Sequence, residues 1–184
     1  MRKASILAAF AILVIHGTAN AGPSAFGVGV FGGASIPIAQ DDNDGSGAVF
    51  GVRFPAHFGW FLSIEPHFDA TSGSTFTQDF GGGFTAEREG IDIKQSGINF
   101  ILGNPTRPGF RFYPYVGVGH YSLNGEGRQE IEKIGWNGGL GLGFGGSKVK
   151  FDVRGDFSMI DIGQTSRKAA SATAGLGLTF PGLN

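Results

Sequence analysis

The sequence predicts an all-β fold, an eight-stranded antiparallel up-and-down β-barrel that crosses a membrane with its strands. Three observations carry this. Among 184 residues there are 34 Gly and 8 Pro, the residues that most disfavour helix interiors, which argues against a helical bundle. No apolar run reaches the ~18 residues that span a bilayer as a helix. Beyond Gly22 nothing recurs at 3.6 residues, whereas eight segments alternate apolar with small or polar residues, the period of a strand with one face against something apolar.

The first residues read as an address. Arg2 and Lys3 form a positive start, Ile6 to Ile15 an apolar core, and Ala19-Asn20-Ala21 the small-x-small pattern of a cleavage site, so residues 1–21 are expected to be a signal peptide and 22–184 the barrel domain. A membrane anchor is the rival reading, but the core is short and His16, Gly17 and Thr18 follow it in place of a stop-transfer cluster. The formal net charge of -1 gives no electrostatic reason to expect nucleic acid. With no Cys, disulfides, thiol chemistry and an N-terminal lipidated cysteine are excluded.

Strands are expected at about 25–36, 47–58, 60–71, 91–102, 110–122, 134–144, 149–160 and 169–180, each near the ~9–11 residues that a tilted strand needs to cross the hydrocarbon. The gaps generally alternate long and short. Residues 37–46, 72–90, 125–133 and 161–167 make long loops, whereas turns lie at Gly59, at 104–109 and at 145–147. One elaborated rim and one plain rim follow, with both termini at the plain side.

Every second residue belongs to one of two registers. The first holds Phe26, Val28, Phe50, Val52, Leu62, Ile64, Phe68, Ile98, Phe100, Phe112, Val116, Trp136, Leu140, Leu142, Phe151, Val153, Leu176 and Leu178, without an Asp, Glu, Lys or Arg. The second holds glycines 27, 29, 33, 139, 141 and 143 together with the charged residues. A soluble barrel would turn the glycines to water, a poor surface. Lipid on the bulky face explains the missing charge, since Arg or Lys at the midplane costs roughly 2–4 kcal/mol, and inward glycines make room for long charged side chains.

The expected lumen network is Arg53, Glu65, His67, Asp69, Arg111, Lys150, Asp152, Arg154 and Asp156, with four cations opposing four carboxylates. A turn centred on Gly59 puts Arg53 across from Glu65. Pairing Phe144 with Val149 sets glycines 139, 141 and 143 opposite Arg154, Asp152 and Lys150. A sealed polar plug follows, because unpaired interior charges are costly; a narrow hydrated channel is the alternative. Phe58, Trp60, Phe110 and Phe112 at one rim, and Phe68, Tyr121, Trp136 and Phe157 at the other, make two interfacial girdles. The pattern breaks at Ile91 and Ile93, whose parity opposes that of Ile98 and Phe100. Either a bulge lies near residues 95–97 or this hairpin projects beyond the bilayer, with Gly81-Gly82-Gly83 as a mobile tip.

Three segments carry a family resemblance. Tyr113-Pro114-Tyr115-Val116-Gly117-Val118-Gly119, Trp136-Asn137-Gly138-Gly139-Leu140-Gly141-Leu142-Gly143 and Ala174-Gly175-Leu176-Gly177-Leu178-Thr179-Phe180 resemble the small eight-stranded outer-membrane barrels of the OmpA-like and opacity type. The resemblance implies a Gram-negative outer membrane, insertion by the barrel assembly machinery, surroundings of outer-membrane lipid and lipopolysaccharide, and a non-enzymatic role in envelope integrity, adhesion or contact with a host or surface ligand through the loops. Such chains usually end on an aromatic, whereas Pro181-Gly182-Leu183-Asn184 follow Phe180 here, and a peptidoglycan-binding domain is not expected.

Catalysis has one candidate. His120-Tyr121-Ser122 sets His120 and Ser122 on the outward face near the long-loop rim, which resembles the His-x-Ser of outer-membrane lipid A deacylases, with Glu132 as the orienting acid. Leu123 stands where that family has asparagine. No cofactor is expected. Nor is a metal: His57 and His67 sit at different depths, and Asp41, Asp42 and Asp44 lack the spacing of a calcium loop.

Overall fold

The computed structural model describes residues 24–38, 46–59, 61–79, 81–88, 90–125, 130–162 and 166–182. Residues 1–21, the expected signal peptide, Trp60 and the Asp41–Asp44 cluster lie outside the described residues. The strands are β1 (Ala25–Pro37), β2 (Gly47–Arg53), β3 (Ala56–Phe58), β4 (Leu62–Gly73), β5 (Phe76–Asp79), β6 (Thr85–Arg88), β7 (Asp92–Leu102), β8 (Arg111–Asn124), β9 (Ile131–Gly145), β10 (Val149–Asp161) and β11 (Ser166–Pro181). β2 and β3 are one stave interrupted at Phe54-Pro55, where Pro55 has no N–H to give to the ladder. The eight staves pair antiparallel in sequence order, and β1 closes on β11 from Ala25↔Pro181 to Pro37↔Ala169. This is the closed eight-stranded barrel that the alternation predicts, and closure leaves its wall without a free edge.

Two turns shift the predicted registers by two residues. Phe58 pairs with Leu62, so the β3–β4 turn spans residues 59–61, with Gly59 at φ 63°, and Arg53 faces His67 instead of Glu65. Between β9 and β10, Lys150 pairs with Gly145 and Phe151 with Phe144. The glycines opposite Arg154, Asp152 and Asp156 are therefore 141, 143 and 139. The reason is the same at both sites, since the pattern of a strand sets its face but not the length of its turn.

Neither β4–β7 nor β7–β8 contains a bulge, for the pairing is continuous from Leu62↔Leu102 to Thr71↔Ile93 and from Asp92↔Asn124 to Ile101↔Tyr115. Ile93 therefore points into the lumen. Ile91 and Ile93 pack there against buried Tyr121, Leu123 and Ile160, an apolar cap inside the barrel at the long-loop end. The segment after β4 forms a second small sheet, β5 with β6, whose connection takes Gly81, Gly82 and Gly83 through φ of 80°, 66° and 83°.

The wall is inside-out. Val30, Phe50, Phe68, Phe112, Trp136, Leu140 and Leu176 are all more than half exposed, whereas Glu65 is 0% and Arg154 4% exposed. Such a surface is uninterrupted around the middle of the barrel, which water would not tolerate and hydrocarbon requires. One residue leaves its expected girdle: Tyr121 is 1% exposed. It shares the odd parity of Tyr113 and Tyr115 on β8, and that parity faces in.

Candidate functional site: the lumen and the long-loop rim

Curvature brings the charged face of each stave onto one axis. Arg154 on β10 grips Glu65 on β4 with both terminal nitrogens, at 2.6 and 2.7 Å, a bidentate pair across the lumen. Asp152, one inward step along β10, accepts from Arg53 Nη2 and lies 3.5 Å from Arg154 Nη2. Tyr113 Oη donates to Asp152 at 3.1 Å. Arg154 also lies over the rings of Tyr113 and Tyr115, at 5.3 and 5.2 Å, and Arg53 over Phe31 at 4.9 Å. Both arginines are thus desolvated, paired and stacked, the condition under which a buried ion pair is tolerated.

An amide ladder extends this cluster around the wall. Asn99 Nδ2 donates to Glu65 Oε1 at 3.2 Å, and Asn137 Nδ2 donates to Asn99 Oδ1 at 2.8 Å. Gly117 lies between the two asparagines in the β7-β8-β9 register, and a Cβ there would collide with both amide oxygens. Gly141 and Gly143 make the same kind of room for the Tyr113 ring and the Arg111 guanidinium, and Gly175 makes it for Arg53. Gly117, Gly141, Gly143 and Gly175 are therefore places where a large side chain from a neighbouring stave lies flat on the wall.

The remaining four charges are matched in number but not in space. Arg111 donates to the carbonyls of Arg107, Phe144 and Phe151, and Lys150 to the carbonyl of Gly146, all near the short-turn mouth. Asp69 and Asp156 lie toward the long loops, where Tyr115 Oη donates to Asp156. Gln95 Nε2 sits 2.9 Å from His67 Nε2 and donates to it, which leaves that nitrogen unprotonated and Asp69, at 3.7 Å, without an ion pair to it. The four cations and four carboxylates therefore do not all pair across the lumen. Opposite signs on different staves meet only at equal axial height, and these do not.

Two cavities flank the cluster. One of about 70 Å3 lies on the long-loop side, lined by His67, Asp69, Asn137, Tyr121, Asp156 and Ser171 among others, room for several waters. The other, about 30 Å3, lies on the short-turn side beside Pro105, Thr106 and Lys150. The 103–110 turn supplies its stopper: Asn104 Oδ1 accepts from the Thr106 amide at 2.9 Å and hydroxyl at 2.5 Å, and Thr106 is buried.

His120 and Ser122 face outward on β8, as their parity requires. His120 Nε2 is 3.7 Å from Glu132 Oε2. The Ser122 hydroxyl, however, donates to Glu130, so among the described residues the serine is held by a carboxylate and not by the imidazole that would activate it. No group of three His, Asp or Glu suited to a metal ion occurs among the described residues. Asn99 and Asn137 escaped the sequence reading because they are uncharged; their inward parity beside Glu65 was the available signal.

A family model for the outer membrane protein beta-barrel domain matches residues 5–180. No curated protein matches the sequence. The fold is similar to that of Neisserial surface protein A (TM-score 0.62, 12% identity, covering 85% of this chain and 97% of that one). It is also similar to the N-terminal β-barrel domain of OprF from Pseudomonas aeruginosa (TM-score 0.52, 14% identity, 86% and 99%) and to OprG from the same organism (TM-score 0.50, 15% identity, 87% and 97%). Family, inside-out wall and closed eight-stave topology agree, and the chain belongs to the outer membrane protein β-barrel domain family of the bacterial outer membrane.

Proposed function

We propose that the protein is a closed, non-catalytic barrel that contributes to envelope integrity, adhesion or surface interaction through its long loops. The observation that supports this best is the lumen cross-bracing of Arg154 to Glu65 and Arg53 to Asp152, which separates the two cavities. A buried bidentate pair is costly to open, because each freed ion loses its partner before it regains water. Surface loops on a rigid scaffold are where contact specificity resides. The reading includes export by residues 1–21, insertion by the barrel assembly machinery and lipopolysaccharide around the outer rim. The mass of the membrane-embedded protein tests the first of these, with a start at Gly22 expected.

Planar-bilayer recording tests the closed state. Wild-type barrel is expected to give no stable current, and Arg154→Gln with Glu65→Gln to give measurable openings; a steady wild-type current would contradict closure. The second reading, a lipid A acyl-ester hydrolase, draws on the nearness of His120 to Glu132. Purified wild type and Ser122→Ala are expected to leave lipid A acylation equally unchanged, and serine-dependent deacylation would replace the scaffold reading with the enzyme one.

A further inference from the structure

The short-turn end carries a charge pattern that neither the lumen nor the fold explains. Its strand ends and turns, residues 24–27, 54–62, 102–112, 144–151 and 178–182, contain Arg107, Arg111, Lys148 and Lys150 and no Asp or Glu. All four cations belong to one sector, the adjacent β7–β8 and β9–β10 turns, which Gly109 N joins by donating to Gly145 O at 2.8 Å. Arg107 and Lys148 are exposed. Arg111 and Lys150 beneath them are buried with carbonyl oxygens as their hydrogen-bond acceptors, and the nearest carboxylate, Asp152, is already held by Arg53 and Tyr113, so the sector keeps an excess of positive charge. Directly toward the bilayer lie Phe110, 66% exposed, and Phe144, 46% exposed, with ring centroids 5.2 Å apart at 57°. Val149, 56% exposed, extends the apolar surface.

We propose that this sector is a binding site for an anionic phospholipid of the inner leaflet. The Arg107 guanidinium and the Lys148 ammonium donate to its phosphodiester, and its acyl chains lie on the Phe110–Phe144 pair. Short turns of outer-membrane barrels face the periplasm, where the lipid layer is phospholipid, and cations just beyond the apolar band stand at phosphate height. A zwitterionic headgroup would bring its own ammonium into a sector already unbalanced in positive charge, so a net-negative lipid is favoured. The opposite side of this rim, the 59–61 turn and the paired strand ends at Ala25 and Pro181, has no Arg, Lys, Asp or Glu side chain.

Native mass spectrometry of the refolded full barrel, titrated in micelles with phosphatidylglycerol or phosphatidylcholine, tests this. Wild type is expected to retain phosphatidylglycerol preferentially, Arg107→Gln with Lys148→Gln to lower that preference about tenfold, and Lys94→Gln with Lys168→Gln at the other end to leave it intact. Heat-modifiable mobility checks that each variant is folded. Equal retention of the two lipids by wild type, an unchanged preference in the first double variant, or loss in the second overturns the proposal. Displacement of the lipid by millimolar inorganic phosphate also overturns it, since the sector would then be a soluble-anion site.

Discussion

On β7 and β8 the middle of the barrel and its long-loop end obey opposite rules. In the middle, β8 turns Phe112, Val116 and Val118 outward and Tyr113 and Tyr115 inward, and the lumen holds arginines and carboxylates. Two turns of alternation later the same strand turns His120 and Ser122 outward, while Tyr121 and Leu123 pack inside with Ile93 and Ile160. The neighbouring strand β7 changes in step, from outward Phe100 and Ile98 to outward Ser96 and Lys94. The backbone ladder runs through this change without interruption. What changes is the solvent outside: hydrocarbon drives polar groups inward, and where water replaces it the ordinary hydrophobic preference returns. The level of the change, between Val118 and His120, marks the outer edge of the bilayer on this stave.

Stripping a charge from the middle has the largest expected effect. Arg154→Met leaves Glu65 buried without its cation and is expected to cost about 3–5 kcal/mol of stability in urea unfolding of the lipid-embedded barrel. Adding Glu65→Leu should recover much of that loss; if the single variant unfolds like wild type, the pair is not what braces the lumen. On the outer face, Leu140→Arg is expected to cost about 2–4 kcal/mol and His120→Arg about 0–1. Equal costs would erase the boundary drawn here. Gly141→Ala drives a Cβ into the Tyr113 ring and is expected to cost about 1–3 kcal/mol, whereas Gly155→Ala, on the open outer face with nothing within 4 Å, should change stability by less than ~0.5. The smallest effect concerns the cap. Among the described residues Tyr121 Oη has no hydrogen-bond partner, so Tyr121→Phe should be neutral within ~0.5 kcal/mol, and a large loss would reveal a bond that the cap depends on.

The strand faces were legible because lipid enforces them residue by residue: Phe100, Leu140 and Leu176 advertise their side in any window of five. Turn lengths were not. Gly59 and Gly145 are both visible as turn residues, yet where each turn closes depends on how the staves twist at closure, and each register moved by two, which keeps every side chain on its face. Cross-lumen partners were illegible for a related reason. Arg53 and Asp152 are 99 residues apart, and their meeting is set by stave tilt, not by local spacing. Tyr121 was assigned from its residue type to a girdle when its parity already placed it inside.

The bulky register touches acyl chains. Because the chain has no cysteine, single-cysteine variants at Leu140, Val153 and Leu176 can be spin-labelled without background, with Glu87 on the β6 strand as a water-exposed reference. Contact with acyl chains predicts that the first three labels are relaxed by dissolved oxygen and shielded from a water-soluble nickel reagent, while the fourth shows the reverse. Nickel accessibility at Leu140, Val153 and Leu176 equal to that at Glu87 would contradict it.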